Sequence, residues 1–256
     1  MKFLSAAHTD VGIRKKVNQD AFCLKTAHTG DYNIAFAVLC DGMGGLKMGE
    51  LASAFTVNAF SNWFEKVLPQ NLRSGYNAQQ IEQQWRAIVE NQSKLIMDYG
   101  MEKGVSLGTT LTAILICGTE YIAVHVGDSR LYRIDSQLTQ LTEDHSLVAM
   151  EVRQGKITPE MAKTDRRRNV LLQCVGASET VEPQILTGQV QSDQVYMLCS
   201  DGFRHKLAPE EIFGVFAPEV LNDERVMRKS IIDLININKT RGENDNITSI
   251  LIKCTE

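Results

Sequence analysis

The sequence predicts an α+β fold built on a largely antiparallel sheet, and three observations point to it. Apolar runs rich in β-branched and aromatic residues come in groups, and amphipathic helical stripes come in separate groups, without the strict alternation of a doubly wound fold. No glycine-rich nucleotide loop of the GxxxxGKS/T or GxGxxG kind occurs. No repeat, low-complexity tract or Gly/Ser/Pro linker divides the chain, so residues 1–256 read as one domain.

Taken in order, residues 31–40 end in an apolar run that stops at Asp41-Gly42, the pattern of a buried strand entering a turn. A helix is expected over about 48–67, with Leu51, Phe55, Phe60, Trp63 and Phe64 on its apolar side. A second helix carries Ile81, Trp85, Ile88, Val89, Leu95 and Ile96 on one face, with Glu82, Arg86 and Glu90 elsewhere. Strands follow at 109–115 and 121–126, rich in residues that suit a pleated surface. A helical insertion lies near 145–163, then a strand at 194–199 and a helix at 223–236 carrying Val226, Ile231, Leu234 and Ile235. A last strand covers 247–252. The helical stripes are core.

Composition excludes several function classes. The net charge of −4 lacks the basic excess of a dedicated nucleic-acid binder. The amino terminus turns polar too soon for a secretory signal, and no run approaches the about 18 to 20 apolar residues of a membrane span. Six scattered cysteines, Cys23, Cys40, Cys117, Cys174, Cys199 and Cys254, contain no CxxC pair, which argues against zinc and for buried free thiols in a reducing, cytoplasmic setting. A cysteine-nucleophile phosphatase is disfavoured: where Cys199 would need its arginine the chain has His205.

The informative feature is a set of carboxylates beside glycine or small polar residues: Asn18-Gln19-Asp20, Asp41-Gly42-Met43-Gly44-Gly45, Gly127-Asp128-Ser129-Arg130, Ser200-Asp201-Gly202 and Asn244-Asp245-Asn246. Any one Asp-Gly is most simply a turn opener, its side chain accepting backbone N–H bonds. Several at strand mouths are harder to explain that way, because carboxylates gathered at one sheet end repel unless cations bridge them. All-oxygen ligation suits Mg²⁺ or Mn²⁺, and two such ions orient and deprotonate a water and neutralise phosphate oxygens. Gly42, lacking a side chain, leaves its carbonyl close enough to serve as a ligand.

In this order, with Asp10-Val11-Gly12, Gly49-Glu50, Ala52-Ser53, Gly108-Thr109-Thr110 and Asp245-Asn246-Ile247-Thr248 added, these segments resemble the successive motifs of the metal-dependent, type 2C protein phosphatases over nearly the whole chain. The stretch Leu141-Thr142-Glu143-Asp144-His145-Ser146, with Arg168-Asn169-Val170-Leu171, resembles the flap of bacterial members, here about 142–180. The resemblance implies a four-layer α-β-β-α fold, a central antiparallel β-sandwich flanked by helix pairs. It implies hydrolysis of phosphoserine and phosphothreonine on proteins by a metal-activated water, with Asp41, Asp201 and Asp20 as the catalytic residues. Asp41 would bridge two core ions of Mn²⁺ or Mg²⁺, completed by Asp201, Asp245 and the Gly42 carbonyl. Asp20 would hold a water on the metals, and Asp128 a third, weaker ion. Substrates would be phosphoproteins opposed by a serine/threonine kinase system, and the enzyme a monomer.

Two departures matter. Met43 stands where eukaryotic members often carry a histidine acid, and His8, His125, His145 and His205 read more simply as structural. The phosphate-binding arginine of the family is replaced in register by Lys15, with Arg14 adjacent; in an extended segment only one of the two faces the phosphate. Arg166-Arg167-Arg168 is most simply a solvated basic face, though it offers charge to acidic phosphoprotein segments. A phosphatase of small phosphomonoesters and a phosphoprotein-binding pseudophosphatase remain as alternatives, the intact aspartates weighing against the second.

Overall fold

The computed structural model describes residues 1–43 and 48–256. Within them the chain runs β1 (Lys2–Asp10), β2 (Asp20–His28), β3 (Asn33–Asp41), α1 (Gly49–Lys66), α2 (Leu68–Leu72), α3 (Ala78–Lys103), β4 (Leu111–Cys117), β5 (Glu120–Val126), β6 (Arg130–Ile134) and β7 (Leu138–Gln140). It continues through α4 (Leu147–Arg153), α5 (Pro159–Thr164), β8 (Gln184–Gln189), β9 (Val195–Cys199), α6 (Asp201–Arg204), α7 (Pro209–Phe216), α8 (Glu224–Thr240) and β10 (Ile247–Thr255). One sheet has the order β1-β10-β9-β6-β7 and the other β2-β3-β4-β5-β8, every pairing antiparallel.

The layering follows from the two-residue period of each strand. In β3, Ile34, Phe36, Val38 and Cys40 face α1 and α3, among Phe60, Trp63 and Trp85. The intervening Ala35, Ala37 and Leu39 face the other sheet, where Tyr196 and Leu198 of β9 and Ile250 and Ile252 of β10 meet them. Beyond that sheet, Met197 and Leu251 pack on Phe203, Phe216, Ile231 and Leu234 of the remaining helices. Both faces of each central strand are therefore buried, which is why the strands read as continuous apolar runs. Phe36 stacks on Phe64 at 4.8 Å, and Trp63 meets Trp85 edge-on at 5.3 Å. Such aromatic pairs contribute about 0.5–1.5 kcal/mol each beyond the area they bury.

Local chemistry sets the helix ends. Asn77 caps α3 by accepting the Gln80 N–H, and Gly104 ends it at a φ of 64°. Asp223 accepts the N–H groups of Arg225 and Val226 to start α8. The structure departs from the sequence expectations at several places. Leu95, 60% exposed, lies outside the core because it sits about 100° round the helix from Ile96. Phe55, 43% exposed, leans edge-on against Tyr99 instead of facing the sheet. The strand expected at 109 starts at Leu111, since Thr109 and Thr110 bind the backbone of Asp41 instead. The insertion near 145–163 is helical as expected, made of two short helices with Gly155 at positive φ between them.

Candidate active site

Both sheets bring carboxylates to one edge of the sandwich. Asp41 closes β3 and lies directly across the ladder from Asp20, which opens β2. From the other sheet, Asp201 follows β9 as the first residue of α6, and Asp245 lies two residues before the start of β10. Asp128 occupies the turn between β5 and β6. Gly44 and Gly45 of the quoted motif lie outside the described residues.

The electrostatics record how close these groups are. Burial, then the charges of Asp20, Asp201, Asp128 and Asp245, push the Asp41 carboxyl far above its ordinary range. Burial, reinforced by Asp201 and Asp245, raises Asp20 to about 7. Burial and then Asp201 raise Asp128 to about 7, against the pull of Arg204. Burial raises Asp201 to about 6, with Arg204 again opposing.

Two oxygens in this cluster, Asp20 Oδ1 and Asp201 Oδ1, are buried and accept no hydrogen bond. Among the described residues, no three histidine, cysteine, aspartate or glutamate side chains converge as a ready cation cage. The donor set nevertheless fits a hard divalent cation: oxygen ligands only, mutually repelling, with orphaned lone pairs.

Asp20 is held by a relay that the sequence reading did not single out. Asn18 Nδ2 donates to Thr9 Oγ1 at 2.7 Å, and Thr9 lies 2.7 Å from Thr248 Oγ1. Thr248 donates to Asp20 Oδ2 at 2.5 Å, while Ser200 Oγ donates to the same oxygen at 3.0 Å. Asn18 Oδ1 closes the loop by accepting the Asp20 backbone N–H. Oδ2 is thus fully engaged and Oδ1 is left free. Ser200 and Thr248 were legible only as neighbours of aspartates.

Glycine at 42 has a packing reason. A Cβ there would lie 2.4 Å from the Gly49 carbonyl and 2.7 Å from that of Gln19. The close approach seats Asp41 against the 18–20 segment, where the Gly42 N–H donates to Gln19 O. At Gly12, with φ of +79°, a Cβ would meet Asp245 O at 2.2 Å.

The 11–17 segment is a run of turns, not the extended strand expected, so strict alternation does not govern it. Lys15 nevertheless turns inward and pairs with Asp245 at 2.8 Å, whereas Arg14 is exposed. Burial alone would lower the Lys15 pKa, but Asp245, then Asp41 and Asp201, outweigh it and raise it.

Of the histidines, His125 is fully buried between Thr112 and the Gly127 carbonyl, and burial drops it to about 3. His205 alone of the four contacts the cluster, 3.6 Å from Asp201 Oδ2, and burial followed by Arg204 lowers it to about 4. Arg204, which no motif marks, donates to Asp128 O and lies 3.6 Å from Asp144. Asp144 in turn takes a two-pronged bond from Arg130. In the triple-arginine run the middle residue, Arg167, is tied to Glu151 and Asp165.

Residues 9–251 match the sequence profile of the family described as Protein phosphatase 2C. The chain belongs to the protein phosphatase 2C family. It is 31% identical over 246 residues to a putative protein phosphatase 2C-type of Streptococcus pyogenes, covering 95% of this chain and 94% of that one. The crystal structure of serine/threonine phosphatase Stp1 from Staphylococcus aureus is similar at a TM-score of 0.84 and 30% identity, covering 98% of this chain and 95% of that one. The catalytic domain of the serine/threonine protein phosphatase PstP, solved in complex with two manganese ions, is similar at a TM-score of 0.78 and 29% identity, with 99% of each chain covered. The two antiparallel sheets with flanking helices are the architecture of these phosphatases.

In a protein phosphatase 2C domain with Asp20 held this way, Thr248→Val keeps the side-chain shape and removes one of two donors to Oδ2. It is expected to lower kcat about tenfold, roughly 1.4 kcal/mol, close to the lower end of the range for a hydrogen bond to a charged group. Steady-state kinetics at saturating Mn²⁺ measure this, and a change below twofold would show that the relay does not orient Asp20.

Proposed function

We propose that this chain is a protein serine/threonine phosphatase that hydrolyses phosphoserine and phosphothreonine monoesters, using Mn²⁺ or Mg²⁺ held by Asp41, Gly42, Asp201, Asp245, Asp20 and Asp128. The observation that carries the reading is the meeting of five aspartates from both sheets in a chain of this family, four of them driven far from their ordinary ionisation. Divalent cations held there would supply an activated water and neutralise charge on the phosphoryl oxygens. Asp41, Asp201 and Asp245 would provide the negative charge for two core ions, and Asp128 that for a third. Asp20, its Oδ2 engaged by Ser200 and Thr248, keeps Oδ1 for the attacking water. Lys15, and not the exposed Arg14, contacts the phosphate.

A thiol nucleophile is disfavoured by chemistry as well as spacing. The two cysteines nearest the carboxylates are buried, and burial pushes the Cys199 thiol up to about 12 and Cys40 well above its usual value. We read residues 1–256 as one catalytic domain with a flap at about 142–180, acting as a monomer on phosphoproteins against a serine/threonine kinase. Six free cysteines suit a reducing cytoplasm, and no described helix is long and apolar enough to cross a membrane.

The test is turnover of a phosphothreonine peptide beside a sugar phosphate, with Mn²⁺ and again after EDTA. The expected result is hydrolysis of the peptide in preference to the sugar phosphate, lost with chelator and restored by Mn²⁺. Preference for the sugar phosphate would make the enzyme a small-molecule phosphatase, binding without turnover would make it a pseudophosphatase, and full activity after metal removal would end the mechanism.

A further inference from the structure

The loop that carries Lys15 is fastened at both ends to the residues around Asp245. Asn246 Nδ2 donates to Val11 O at 2.9 Å and to Val17 O at 3.2 Å, and Gly12 lies tight against the Asp245 carbonyl. Between these fastenings the Lys15 ammonium sits 2.8 Å from Asp245 Oδ1, with 30% of the lysine and 36% of the aspartate side chain exposed. Asp41 and Asp201 also attract it, after Asp245. Arg14 and Lys16, on either side, are exposed and have no ion-pair partner among the described residues. The chain therefore directs one particular cation of its own to a carboxylate that the functional reading gives to a metal.

Resting on that reading, we propose that Lys15 is a tethered counter-cation: it competes with the divalent ion for Asp245 and passes to the substrate phosphate as the ion binds. A lysine suits this exchange. Its charge is a compact point on a flexible four-carbon stem, so the ammonium relocates while the pinned loop stays in place. One side chain then serves both partners in turn. Losing the ammonium frees Asp245 for the ion but leaves the phosphate without its contact, so the two bindings shift in opposite directions.

Calorimetric titration of metal-free protein with Mn²⁺ tests this without reference to activity. Lys15→Met is expected to tighten Mn²⁺ binding about fivefold, the scale of a half-exposed ion pair. Lys15→Arg, which keeps the charge, stays within about twofold of the unaltered protein, and so does Lys16→Met, which removes a neighbouring charge with no tie to Asp245. With Mn²⁺ saturating, inorganic phosphate binds Lys15→Met about tenfold more weakly, as expected when a charged hydrogen bond is lost. Unchanged or weaker Mn²⁺ binding in Lys15→Met, or an equal gain in Lys16→Met, overturns the competition. Unchanged phosphate binding overturns the exchange. If the unaltered protein binds no Mn²⁺, the functional reading itself fails, a result distinct from equal binding across the variants.

Discussion

Asp41→Asn is expected to lower kcat on a phosphothreonine peptide about a thousandfold, roughly 4 kcal/mol of transition-state stabilisation, while the chelated protein melts at the same temperature or higher. The two halves have one cause. Asp41 sits opposite Asp20 on the ladder and feels the charges of Asp20, Asp201, Asp128 and Asp245. A neutral amide of the same shape removes that repulsion, so the metal-free fold loses nothing by it. The same amide could not supply the negative charge that divalent ions held at this position would need. Asp201→Asn is expected to lose activity similarly with a smaller gain in stability, because Arg204 already offsets part of its charge. Parallel melting and kinetic measurements decide the matter. A loss of activity below about tenfold in Asp41→Asn, or a loss accompanied by unfolding, contradicts the assignment.

Sequence periodicity recovered the elements whose burial is one-sided or complete over many residues. The runs ending at Asp41 and at Cys199 were legible because each is covered on both faces, by helices on one side and the opposing sheet on the other. Leu95 and Phe55 misled because a helical stripe has edges, and a residue at the edge is apolar without being inside. The aspartates were visible as odd residues at strand mouths. Their supporting contacts were not, because Thr9, Asn18, Ser200 and Thr248 converge on Asp20 from four separate stretches of chain. Arg204 was invisible for the same reason: its partners Asp128 and Asp144 are distant in sequence and meet it only after the sheets pack. Lys15 was singled out over Arg14 on an extended-segment argument that the turns at 11–17 do not satisfy. Its orientation comes from the Asn246 and Gly12 contacts instead.

The stabilisation that Mn²⁺ confers is expected to be small at pH 5 and to grow through pH 7.5. An aspartate whose folded pKa lies above its unfolded value near 3.8 stabilises the fold fully below that value, and the contribution is lost as pH climbs through the folded pKa. For Asp201 that point is about 6, and for Asp20 and Asp128 about 7. The metal-free protein therefore becomes less favoured by these groups between about pH 4 and 7. His125 and His205 act in the opposite sense, since their folded values near 3 and 4 lie below the ordinary 6.5, but neither belongs to the carboxylate set. The contribution of His125 falls out when melting with and without Mn²⁺ is compared at each pH. His205, 3.6 Å from Asp201, titrates with the cluster, and its contribution is removed by comparing His205→Gln. What remains is the competition between protons and the cation for the same oxygens. At pH 5 an ion must displace protons; at pH 7.5 most of that cost is gone. The difference between the two extremes should reach at least about 2 kcal/mol, or roughly 4–8 °C in melting temperature for a chain of this size. Asp41→Asn combined with Asp201→Asn should flatten the dependence. A Mn²⁺ effect that is already large at pH 5 and constant thereafter would mean that the ion binds somewhere other than these aspartates.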